Sequence, residues 1–355
     1  MRFLLVIIGA SIGIGTVVGM AGLAAAQTPR LSAENSYGPP RIGVIDFYGL
    51  NKIQEARVRK ALGVAEGDFL PSSKGDAEER LDQLPGIVES HLEAVCCDAG
   101  KMILYVGVEE KGAPHFDLRD APESAVSLPE NIPAAYRELL DALGAAIRRG
   151  STAEDLTRGH SLMADPLARE IQEKFPGIAK DHLKELRDVL RNSQDEDQRA
   201  AAAYVIGYAP RKAEIVDDLQ YALRDSDSGV RANAVQALLA VAVYAKLNPN
   251  AGIKIQPTWF IEMLNSLSWS DRDHALKALQ LLTDGRDPSV LDQLRDRALG
   301  SLAEMSRWKA LAHALPAFVL LGRVTGLSEQ QIQDAWTRGD REKVIVAAAA
   351  KKKSR

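Results

Sequence analysis

The sequence predicts a small α+β domain followed by an all-α solenoid, so that the chain is mainly helical. Three observations carry this. Residues 41–111 alternate short β-type apolar runs with short helical ones, punctuated by Gly49, Gly63, Gly67 and Pro85-Gly86. From about residue 179 one template, Arg-x-x-Ala-x-x-x-apolar, returns four times. Aromatic residues make up only 5% of the 355-residue chain, which fits an alanine- and leucine-rich helical protein better than an all-β sandwich.

The chain opens on Arg2 and an uncharged apolar stretch from Phe3 to Ala26, closing on Ala24-Ala25-Ala26. A positive start, an apolar middle and a small-x-small end form an export signal, with Gln27 as the first mature residue. The competing reading is an uncleaved inner-membrane anchor, since an uncharged run of this length can span a bilayer. Five glycines dilute the stretch and favour cleavage. Residues 27–40, ending on Pro39-Pro40, are a linker.

In 41–111 the order is strand, helix, helix, strand, strand. Arg41 to Tyr48 is the first strand, and Asn51 to Leu62 a helix behind an asparagine cap. Ala77 to Leu84 is a short helix. Ile87 to Cys97 and Met102 to Glu109 form a hairpin about Asp98-Ala99-Gly100. Val88, Ser90, Leu92, Ala94 and Cys96 share one face of the second strand and should meet the helices. Glu89, His91, Glu93, Val95 and Cys97 share the other and should face solvent. Cys96 and Cys97 are adjacent, so their side chains diverge in a regular strand and an internal disulfide is not expected.

Residues 112–130 are rich in proline and charge and read as a linker that isolates two cores. Residues 131–178 are a helical lead-in. Ser151 with Glu154 is a capping-box pattern there, and Asp165-Pro166 a helix start. The repeats, 179–350, follow on Arg199, Arg231, Arg272 and Arg307, spaced by 32, 41 and 35 residues, each helix preceded by another amphipathic one. One helix pair cannot bury its own apolar face, so pairs stack. Acidic turns, Asp195-Glu196-Asp197 and Asp225-Ser226-Asp227, cap the second helices and place negative charge at their positive ends. Arg199 and Arg231 are within reach of such carboxylates, or of carbonyls in the next repeat. Later turns lose acid: the third keeps Asp271 and the fourth has none. Residues 351–355 are a basic tail.

Leu223 to Ala234 resembles a HEAT repeat, and the resemblance extends over roughly half the chain. Ile42-Gly43-Val44-Ile45-Asp46-Phe47, Gly67-Asp68-Phe69-Leu70 and Leu104 to Glu109 make the N-terminal domain similar to a POTRA module. That resemblance implies a sheet edge able to accept a partner strand. Some HEAT-like proteins resemble phycobilin lyases, which gives the enzymatic alternative.

No nucleophile elbow, Walker motif, dinucleotide fingerprint or His-Glu-x-x-His is present, and no two of the six histidines share a helical i, i+4 or strand i, i+2 spacing. No catalytic residue, metal site, cofactor or small-molecule substrate is therefore expected. A net charge of −4 with mixed signs supplies no field for nucleic acid. The expected function is a cell-envelope scaffold for protein partners, periplasmic in a Gram-negative cell, with an architectural subunit as a further alternative. Candidate contact residues are Val88, Glu89, His91, Glu93 and Val95 on the sheet edge. Trp269, flanked by serines in a turn, is a candidate exposed anchor. Asn248, Asn250 and Lys254 lie in the insertion 247–257. Arg199, Arg231, Arg272, Arg307, Asp225 and Asp227 are expected to hold the repeats together.

Overall fold

The computed structural model describes residues 6–7, 41–98 and 100–353. The expected export signal, apart from Val6 and Ile7, and the expected linker 27–40 lie outside the described residues.

The N-terminal sheet contains β1 (Val6–Ile7), β2 (Ile42–Tyr48), β3 (Ile87–Asp98) and β4 (Lys101–Glu110), in the order β1-β3-β4-β2. β4 is central, parallel to β2 and antiparallel to β3, and β1 pairs with Val95 and Cys96 of β3 in parallel. Two helices, α1 (Glu55–Leu62) and α2 (Lys74–Asp82), cover one face through Val58, Leu62, Ala77 and Leu81. α1 begins four residues later than Asn51 suggested. The backbone N–H groups of Asn51, Lys52 and Ile53 all donate to the Glu110 carboxylate at 2.8–3.0 Å, fixing these residues as a turn. Burial pushes that carboxyl up, but the three donors outweigh it and hold it below the usual range.

The lead-in comprises α3 (Asn131–Arg148), the two-stranded β5 (Glu154–Asp155) and β6 (Leu162–Met163), α4 (Pro166–Gln172) and α5 (Phe175–Asp181). Asp165 caps α4, accepting from Leu167 and Ala168 N–H. Five helix pairs follow. They are α6 (Leu183–Asn192) with α7 (Glu196–Ile206), α8 (Val216–Ala222) with α9 (Ser228–Leu247), and α10 (Thr258–Met263) with α11 (Trp269–Leu282). The last two are α12 (Pro288–Met305) with α13 (Leu311–Val324), and α14 (Glu329–Thr337) with α15 (Arg341–Lys353). The fifth pair opens on a capping box formed by Ser328 and Gln331. The basic tail is thus partly helix, since Lys351–Lys353 continue α15.

The two regions share one core. Tyr48, Val95, Ile103 and Tyr105, from the sheet face away from α1 and α2, belong to the same buried cluster as the repeat helices. The expectation of two isolated cores is corrected accordingly. Nor is 112–130 a free linker. Arg119 N–H donates to Arg224 O at 2.8 Å, Ser124 N–H to Asn192 O at 3.2 Å, and Gln194 N–H to Ser124 O at 2.8 Å. Phe116 and Leu128 are buried. The segment is a strap across the turns of the first two repeats.

Candidate interaction surfaces

The repeated arginine joins neighbouring pairs. Arg199, 1% exposed, donates to both carboxylate oxygens of Asp225 at 2.8–2.9 Å and to Ser193 O in its own turn at 2.9 Å. Arg231 donates to Asp271 and to Asp225 O. Arg272 donates to Ser266 O at 2.6 Å and Glu304 at 3.4 Å. Each arginine closes its own turn through a carbonyl and reaches forward to a carboxylate of the following pair. Arg307 repeats the forward step with Glu342 at 2.7 Å, half-exposed. Asp227 caps α9, accepting from Val230 N–H at 2.9 Å.

Capping divides the array into two halves. Asp195 caps α7 and Asp227 caps α9, but the cap residues of α11 and α13, Ser268 and Ala310, accept no side-chain cap bond of their own. The sheet supplies the missing carboxylates. Glu93 accepts from Ser268 Oγ at 2.6 Å and Ser270 N–H at 3.1 Å. Asp46 accepts from Lys309 N–H at 3.0 Å and Ala310 N–H at 3.4 Å. The acid that fades from the third and fourth turns is therefore replaced from β3 and β2. Burial raises the Asp46 carboxyl above its usual range despite those donors.

Aromatic rings fill the space between these two contacts. Tyr105 stacks on Trp269 at 4.9 Å and packs against Trp308 at 4.9 Å. Its hydroxyl lies 2.6 Å from His313 Nδ1. Burial lowers the His313 pKa and raises that of Tyr105, so a phenol donating to a neutral imidazole fits the site. Tyr48 Oη donates to Leu267 O at 2.7 Å. Gly107 on β4 permits this approach, since a Cβ there would strike Leu267 O and the Tyr48 ring.

Several expectations about contact residues change. Trp269 is fully buried rather than exposed, because the sheet covers the turn that its serines marked. Glu93 and Val95 face the array rather than solvent, Val95 being 1% exposed. Val88, expected against the helices, is 57% exposed, because the β3–β4 register shifts between Ile87 and Glu89 and Ile87 takes the place against the helices instead. Glu89 is exposed and His91 half-buried between Glu78 and Glu93. Asn248, Asn250 and Lys254 are exposed, while Ile253 and Ile255 of the same insertion pack on the core. Cys96 and Cys97, expected to diverge, have their sulfurs in bonding contact. They sit where the β3–β4 register shifts between Val95 and Asp98, so strand alternation does not apply.

A cleft of about 530 Å³ opens between β2 and α12. Its cations are already engaged, Arg272 with Glu304, Arg307 with Glu342 and Lys309 with Glu66, while Glu109 in its lining makes no ion pair among the described residues. Among the described residues no group of three His, Cys, Asp or Glu side chains is placed to hold a metal ion. On the second-helix side, α3 and the β5–β6 turn cover the early repeats, where Asn233 donates to Tyr136 Oη and Gln236 to Glu154. Farther along, Val243 on α9, Leu281 on α11 and Leu315 on α13 remain partly exposed, while Val319 packs on the Phe318–Ile332–Ala335 cluster.

The chain matches no curated protein. Residues 183–248 match the family described as HEAT repeats. The arginine ladder and the helix pairs continue beyond that segment, so the second half of the molecule is an array of helix pairs of which residues 183–248 match HEAT repeats.

Proposed function

We propose that the protein is an exported, non-enzymatic scaffold of the cell envelope that binds other proteins through the second-helix face of its array and through the β3 edge. The HEAT match carries this reading, since such repeats serve as interaction surfaces. The partly exposed apolar side chains Val243, Leu281 and Leu315 offer a face of that kind. The three cations of the cleft are each paired, Arg272 with Glu304, Arg307 with Glu342 and Lys309 with Glu66, which favours a scaffold over an enzyme.

The strand order and the two helices on one face support a POTRA-like reading of the N-terminal domain. At the β3 edge Leu92 N–H points away from β4 and donates to the Glu78 side chain at 2.7 Å. Farther along, the edge pairs with the extended Val6–Ile7. Processing before Gln27 would remove β1 and free that position for a partner strand. Export itself rests on Arg2, the apolar stretch and Ala24-Ala25-Ala26.

Photo-crosslinkers at Val88, Val243 and Leu315, with Lys184 on α6 as control, test this in intact cells. Discrete adducts with envelope proteins at the first three positions are expected. Adducts with cytoplasmic proteins alone, or an equal pattern at Lys184, overturn the reading.

A further inference from the structure

The strap carries Arg119 into a nest of like charge. Its guanidinium lies over the Tyr221 ring, 3.3 Å from the centroid, and the Arg191 guanidinium lies 4.4 Å from the same centroid. Arg191 and Arg187 share a single carboxylate, Asp218, at 2.7 Å each. Arg224, whose carbonyl accepts the Arg119 N–H, stacks on Trp259 at 4.5 Å. Two of the four arginines thus have a carboxylate. Arg119 and Arg224 donate to neutral carbonyls, of Tyr221 at 2.5 Å and of Asp117 at 2.9 Å, and among the described residues neither has a carboxylate within 4.0 Å.

This arrangement is held in place before any partner arrives. The Arg119 backbone is tied to the second repeat, its side chain is stacked and singly hydrogen-bonded, and it is half-buried. Burial lowers its pKa, Tyr221 and the Asp225 carboxylate partly offset this, and the adjacent Arg224 and Arg191 add to the lowering. A planar guanidinium stacked on an aromatic ring keeps its remaining N–H fork free for two-point contact with a carboxylate. Exposed Asp117, Asp120 and Asp217 are sequence neighbours of the patch, so its charge is local rather than a broad basic field.

We propose that Arg119 and Arg224, with Arg191 beside them, form a docking site for an acidic, extended polypeptide segment running along the strap. Asp218 provides the chemical precedent, a side-chain carboxylate shared by two arginines of this patch. The proposal rests on the scaffold reading only in taking the partner to be a polypeptide, and its surface is separate from Val88, Val243 and Leu315.

Fluorescence anisotropy of the full chain with labelled octaglutamate tests it, with octaglutamine, inorganic phosphate and phosphatidylglycerol vesicles as separate arms. The expected result is salt-sensitive binding of octaglutamate and none of octaglutamine. Arg119→Gln and Arg224→Gln should each weaken it about tenfold, Arg119→Lys less. Arg137→Gln on α3, with an unchanged melt, should bind like the parent. If Arg119→Gln unfolds, Arg224→Gln and Arg119→Lys carry the test. Absence of octaglutamate binding, equal weakening by Arg137→Gln, or binding of phosphate or vesicles without the peptide overturns the proposal.

Discussion

Arg231 Nε lies 2.9 and 3.1 Å from the two carboxylate oxygens of Asp271, 40 residues along the chain and in the next repeat. Both side chains are buried, at 5% and 3% exposure. Removing one partner strands the other as an unpaired buried charge. Arg231→Ala should therefore lower stability by about 3–5 kcal/mol, read as a fall in the thermal midpoint. Arg307→Ala, removing a pair exposed at 49% and 62%, should cost about 0–1 kcal/mol. Equal melts for the two variants would show that the ladder contributes no more inside the array than at its surface.

The first three rungs of that ladder were legible because they depend on local order: an arginine in the first turn of the second helix, an alanine three residues on, and acid in the turn. Arg307 lies instead in the turn before α13. Even so, the sequence placed Arg231 beside Asp225 and Asp227, whereas its carboxylate is Asp271 of the following pair and Asp225 offers it a carbonyl. What stayed hidden depends on how the sheet meets the array. Ser268-Trp269-Ser270 has the composition of an exposed turn, and nothing near it in sequence announces that Tyr105 will stack on the indole. Glu93 alternates like a solvent-facing residue because its partners lie 175 and 177 positions away. The fading acid of the third and fourth turns was visible, but its replacement by Glu93 and Asp46 was not. The fifth pair carried a readable signal, the Ser328–Gln331 capping box.

A shared core implies shared unfolding. The parent chain should show one transition, coincident by tryptophan fluorescence and far-ultraviolet circular dichroism, with the strap resisting proteolysis. Gly107→Ala places a methyl group against Leu267 O and the Tyr48 ring, a clash worth roughly 1–3 kcal/mol. The variant should be cleaved faster near Lys111, with fluorescence changing before dichroism. If the parent already gives two transitions, the sheet and array are independent after all.

His160 predicts an acid dependence. Burial first, then Lys212 and Arg158, depress its pKa to about 4. Between that value and the ordinary 6.5 the unfolded chain binds the extra proton and the folded chain does not. This contribution to stability is complete above pH 6.5 and is lost as pH falls through about 4. Urea unfolding at stepped pH should show the loss in the parent and a smaller one in His160→Gln. His160→Ala should leave partner affinity nearly unchanged, since the half-buried ring packs on Tyr208. Parallel pH profiles for parent and His160→Gln would assign the acid loss elsewhere.

Glu93 allows the docking contact itself to be tested. Its side chain is 12% exposed and accepts from both Ser268 Oγ and Ser270 N–H at the start of α11. Burial pushes the carboxyl up, but His91, Ser268 and Ser270 outweigh it and hold it below the usual range. Its contribution is therefore present above the ordinary value of 4.5 and lost as pH falls through the depressed one. Glu93→Ala leaves the Ser268 hydroxyl and the Ser270 N–H without that acceptor, at a cost of about 1–3 kcal/mol. Glu93→Gln keeps an acceptor oxygen but loses the charge at the helix N-terminus, so it should fall between alanine and the parent. Proline at this position cannot isolate the strand edge, because it would also remove the contact with α11. Thermal melts at neutral pH should rank parent, glutamine, alanine, with the gap between parent and alanine closing on acidification. If Glu93→Ala melts like the parent, the carboxylate is not what holds β3 to the array, and the docking rests on the aromatic stack of Tyr105, Trp269 and Trp308.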